Sequence, residues 1–66
     1  MKMFNCIEPF KTTLFKNGEV IRTEIEKESL WFLVKKESQD KIILSNNKIE
    51  LTISEKILND KFKRWG

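Results

Sequence analysis

The stretch KIILSNNKIELTIS, residues 41–54, constrains this chain more than any other. Apolar and polar residues alternate on either side of two adjacent asparagines, the period expected of half-buried strands joined by a turn. Asparagine tolerates the left-handed backbone that a type I′ turn needs, so Asn46 and Asn47 are read as a two-residue reversal. Leu44 then faces Ile49 and Ile42 faces Leu51, and opposed residues share a sheet face. Ile42, Leu44, Ile49, Leu51 and Ile53 fall on one face, against Ile43, Ser45, Lys48, Glu50 and Thr52 on the other. Register and pattern agree, as a specified hairpin requires.

The remaining segments extend a β reading. SLWFLVKK, residues 29–36, is a strand joined to the hairpin by the polar ESQD, with its register open by one residue. Either Leu30, Phe32 and Val34 point inward or Trp31 and Leu33 do. Both faces are apolar, so the strand is covered on both sides or displays an aromatic patch. Asn17-Gly18 marks a reversal, and the β-branched Val20, Ile21, Thr23 and Ile25 after it favour a strand, although a helix also places Ile21 and Ile25 one turn apart. MFNCI near the N-terminus is a short strand ended by Pro9, which has no N–H for a ladder. After the hairpin, Ser54 is suited to cap a helix with Glu55 in its first turn. Leu58, Phe62 and Trp65 then lie at helical spacing with Gly66 at the end; the alternative is one helical turn, EKILND, followed by a strand, KFKRW.

Sixty-six residues form one domain near the lower size limit for folding on a single core. Cys6 is the only cysteine, so no internal disulfide reinforces it, and a lone thiol points to a reducing, cytoplasmic setting. The apolar stretch of MKMFNCIEPFK is broken by Asn5, Glu8 and Pro9, unlike a secretory signal, and the longest apolar run, LWFLV, is far short of a membrane span. The chain has no alanine, the best helix former, and eight isoleucines. Its eleven lysines and five asparagines fit an AT-rich coding sequence, as in low-GC bacteria and their mobile elements.

These segments describe an all-β chain, or β with one short C-terminal helix: a small antiparallel barrel of about five strands spanning residues 1–66, in which closure removes exposed edges. The order FKNGEVI, LWFLVKK, KIILSNNKIELTIS and EKILNDKFKRW resembles small SH3-like barrel proteins of Gram-positive phages and other mobile elements. Many of these have no assigned function, so the resemblance implies a fold more than an activity.

Chemistry is sparse. Without histidine, proton transfer would fall to carboxylates or lysines, and the ten acidic residues interleave with lysine as on a solvated face. One cysteine and no histidine leave no ligand set for zinc or iron–sulfur, and a single Asn-Gly is no phosphate loop. No catalytic residue, metal or cofactor is expected. Cys6 is a small buried hydrophobe or an exposed thiol open to intermolecular pairing.

Binding is the better prospect. Residues 1–33 hold five basic and five acidic side chains, and residues 34–66 hold eight and five, so the net charge of +3 lies in the second half. Two readings follow. Trp31, Leu33 and Lys35 are the candidate interface for a protein partner or a second copy, with no membrane involved; tryptophan is enriched among binding hot spots. Alternatively, Lys61, Phe62, Lys63, Arg64 and Trp65 interleave cations with aromatics, a pattern that grips phosphate and stacks on bases. Against both stands the plain need of so small a chain to keep its aromatics inside. Mimicry of DNA is disfavoured by the positive charge.

Overall fold

The structure, a computed structural model, describes residues 2–65, excepting the side chains of Phe15 and Lys16. It is all-β with one short C-terminal helix. In chain order the elements are β1 (Met3–Cys6), β2 (Phe10–Lys16), β3 (Glu19–Ile25), β4 (Leu30–Ser38), β5 (Lys41–Ser45), β6 (Glu50–Ile53), α1 (Glu55–Lys61) and β7 (Phe62–Arg64). Five strands form one antiparallel sheet in the order β6-β5-β4-β1-β7, while β2 and β3 form a separate hairpin. The expected closed barrel of about five strands is therefore an open arrangement of seven.

The hairpin β5–β6 puts Ile42, Leu44, Leu51 and Ile53 in the core, as its alternation requires. Its turn differs from expectation. Ser45 pairs with Glu50, so residues 46–49 form a four-residue loop, and Leu44 faces Leu51 rather than Ile49. Asn46 is the reason. Its Oδ1 accepts from the backbone N–H groups of Lys48 (3.0 Å) and Ile49 (2.9 Å), satisfying donors that a tighter turn would place in the ladder. Only Asn47 takes a positive φ, 74°. The register moves by two residues, which preserves the faces. Ile49 still packs against the core from the loop.

The type I′ turn sits instead at Asn17 and Gly18, with φ of 52° and 78° and with Lys16 opposite Glu19. Strand parity places Phe10, Leu14 and Ile25 on one face of this second hairpin. That face covers the sheet: Leu14 and Ile25 are buried, and the Phe10 ring meets Phe62 edge-on with centroids 5.8 Å apart.

At the C-terminus the second alternative holds, and no helix runs on to residue 65. The Ser54 Oγ accepts from the N–H of Ile57 at 3.2 Å, with Glu55 in the first turn. Phe62 then turns extended, and β7 pairs with β1 from Cys6↔Phe62 to Phe4↔Arg64. A longer helix would leave that edge of β1, a row of backbone donors and acceptors, unpaired. Gly66 lies outside the described residues.

Candidate binding face

The two faces of the five-stranded sheet have different tasks. Phe4 and Cys6 of β1, Trp31 and Leu33 of β4, and Phe62 of β7 point to the core. Alternate residues therefore point outward: Met3 and Asn5, Leu30 and Phe32, then Lys63 and Trp65. Register brings them into rows. Met3 lies opposite Phe32, and the N–H of Trp65 donates to the carbonyl of Met3 at 2.9 Å, so Trp65, Met3 and Phe32 sit side by side across three strands. In the adjacent row Asn5 lies between Leu30 and Lys63. A bulge after Leu33 turns Val34 out beyond Phe32. Trp65 is 57% exposed, Val34 48% and Leu30 42%.

The expected interface residues divide. Trp31 is 2% exposed, and its Nε1 donates to the Ser29 Oγ at 2.9 Å. A large indole inside a small core, with its one polar atom satisfied, decides the register of β4. Leu33 packs beside it, half-buried. Lys35 is exposed but holds Glu37 at 3.2 Å. The patch therefore belongs to the other register, Leu30, Phe32 and Val34.

The terminal cluster also splits. Phe62 is core, and Lys61 is tied to Glu8 at 2.7 Å. Lys63, Arg64 and Trp65 are exposed, and strand parity puts Lys63 and Trp65 on the outer face. The outer face thus takes Lys63 and Trp65 from the terminal set, while Trp31 and Leu33 of the other set face the core. Met3, Asn5 and Phe32 were not singled out from the sequence as binding residues, because nothing local in it reveals that β1 lies between β4 and β7.

Asn5 is poorly suited to a central strand, and its Oδ1 is buried without a hydrogen-bond partner among the described residues. An unsatisfied buried acceptor costs about 1–3 kcal/mol. Asn5→Val is expected to raise stability by about 1 kcal/mol, read as a higher urea midpoint at unchanged slope. A lower midpoint would show that the amide makes an interaction the fold needs.

Cys6 is fully buried; burial pushes its thiol above the usual range, and the Sγ donates to the carbonyl of Glu8 at 3.3 Å. It is a core residue. Among the described residues no acidic, cysteine or histidine cluster is placed to hold a metal, and no helix is long and apolar enough to cross a membrane. Compared with known proteins, the chain matches no family model, no curated protein and no solved structure.

Proposed function

We propose that this protein is a small non-enzymatic binding module that engages a protein partner, or a second copy of itself, through the outer face of its five-stranded sheet. The observation that carries this reading is the row Trp65–Met3–Phe32, flanked by Leu30 and Val34. A contiguous exposed apolar patch on a small domain marks an interaction site, and tryptophan is enriched among binding hot spots. The reading accords with a protein of a phage or mobile element, as the SH3-like resemblance implies, and with the reducing cytoplasm to which a lone cysteine points.

A second reading, single-stranded nucleic acid on the same face, is favoured by Lys63, with Arg64 exposed at the adjoining edge. Neither forms an ion pair within the described residues; Lys63 shares the outer face with Trp65, while Arg64 is exposed at the same sheet edge on the opposite face. Stacking on Trp65 with phosphates on these cations would follow the usual chemistry of single-strand binding.

Sizing and gel shift with oligo(dT) and oligo(U) across ionic strength separate the two. Apolar association persists in high salt and is lost in Trp65→Ala. Nucleic-acid binding through two phosphate contacts weakens on the order of 30-fold between about 50 and 500 mM salt, and Lys63→Glu with Arg64→Glu removes it. No self-association, no retardation, and identical sets of proteins captured by wild type and Trp65→Ala would overturn both readings.

A further inference from the structure

The strands β6, β7, β2 and β3 each end a sheet, but their edges are not equivalent. β6 and β7 have only four and three residues, and β2 already approaches β6. β3 has seven residues, Glu19–Ile25, paired with β2 in unbroken register. No backbone hydrogen bond joins it to any other element among the described residues. Glu19, Val20, Ile21, Arg22 and Glu24 are exposed, and a cleft of about 360 Å³ borders Arg22, Thr23 and Glu24.

The hairpin decides which groups this edge offers. Lys16 and Glu19 flank its two-residue turn, so Glu19, Ile21, Thr23 and Ile25 exchange ladder bonds with β2. The N–H and C=O groups of Val20, Arg22 and Glu24 turn to the open side. Side chains alternate between faces: Ile21, Thr23 and Ile25 share the core-facing side with Leu14, and Arg22 and Glu24 lie on the other. Neither Arg22 nor Glu24 forms an ion pair among the described residues.

Charged side chains usually guard an edge against pairing. Here their order makes the edge complementary to itself. The segment Ile21-Arg22-Thr23-Glu24-Ile25 has apolar residues at its ends, opposite charges inside them and threonine at its middle. Laid antiparallel on a second copy about Thr23, it sets each Arg22 opposite a Glu24 and each Ile21 opposite an Ile25. Arg22 and Glu24 are also the positions whose backbone groups face outward, so charge and hydrogen bonding select the same register. Centred on Arg22 or Glu24, the pairing would bring like charges together; centred on Ile21, it would set Arg22 against Val20.

We propose that β3 is the docking edge for a second copy of this chain, giving a continuous β2-β3-β3-β2 sheet with its two-fold axis at Thr23. The added pairs exchange backbone bonds at Arg22 and Glu24, neutralise both charges and shield Ile21, which is 39% exposed in the single chain. A hairpin that is marginal as two strands becomes part of a four-stranded sheet. This edge is separate from the Trp65 face and does not depend on it.

The test is sedimentation equilibrium of the full chain carrying Trp65→Ala, which removes association through the outer sheet face, from about 10 μM to 1 mM at low salt. A monomer–dimer equilibrium is expected. Arg22→Glu or Glu24→Arg alone opposes like charges twice in the dimer and should weaken it at least about tenfold. Both residues are exposed, so each variant should keep the parent circular dichroism. An equimolar mixture of the two variants should recover the affinity as a heterodimer, and both substitutions in one chain should recover it as a homodimer. Thr23 supplies a check on register, because opposed Cα atoms at its non-hydrogen-bonded position lie about 4.5 Å apart, within disulfide range. Thr23→Cys should cross-link between copies under oxidised glutathione and Glu24→Cys should not, while Cys6 stays buried. Three results would each overturn the proposal: a monomer at every concentration, single charge reversals that leave the dimer unchanged or whose mixture fails to restore it, or no cross-link through Thr23→Cys.

Discussion

Leu51→Ala is expected to leave much of the protein unfolded at 25 °C. Leu51 and its cross-strand partner Leu44 are both 0% exposed and hold the two halves of the β5–β6 hairpin together. Truncating a fully buried leucine costs about 2–5 kcal/mol, through lost transfer energy and the cavity left behind. A 66-residue domain has only about 3–10 kcal/mol to lose. Leu44→Ala should act alike, and the double variant should cost less than the sum because the two side chains share one space. Thr52→Ala, next along the strand but on the outer, exposed face, should change stability by no more than about 0.5 kcal/mol. Urea unfolding followed by far-ultraviolet circular dichroism measures all four. Similar costs for Leu51 and Thr52 would mean that the alternation of residues 41–54 does not define an inside and an outside.

That alternation was the most legible part of the fold, for a physical reason. The face a strand residue takes depends only on parity, so the inner set Ile42, Leu44, Leu51 and Ile53 was insensitive to the exact turn. The turn itself depended on side-chain hydrogen bonds of Asn46, which composition does not reveal. Asn17-Gly18 was legible as a reversal because glycine takes a positive φ without strain. The middle of the sheet was not legible. β1 pairs with β4 and with β7, contacts between residues as far apart as Phe4 and Arg64, and no local pattern encodes such partners. The same gap left the C-terminus open. Leu58, Phe62 and Trp65 suit a helical stripe, and only pairing with β1 turns Phe62 inward and leaves Trp65 outside. The candidate site inherits this history. Cations and aromatics at the terminus were visible as a group, but which of them face solvent follows from the partner strand.

The two tryptophans should respond in opposite ways. Trp31→Ala is expected to cost about 3–5 kcal/mol, enough to unfold much of the population, since it empties the centre of the core and strips the Ser29 Oγ of a donor. Trp65→Ala should change stability by less than about 1 kcal/mol, because its side chain is more than half exposed and β7 keeps its backbone pairing. Yet Trp65→Ala should remove salt-resistant association, as truncating a central aromatic anchor commonly costs 2 kcal/mol or more of binding, roughly 30-fold in affinity. Fluorescence gives an independent check on the wild type. Iodide should quench a red-shifted Trp65 component and spare a blue-shifted Trp31 component, and binding at the outer face should protect the former. If Trp65 resisted quenching in the monomer, or if Trp65→Ala destabilised the fold as much as Trp31→Ala, the indole would be a structural element. The outer face would then lose its anchor, and Met3, Leu30 and Phe32 would be too modest a patch to define a partner site.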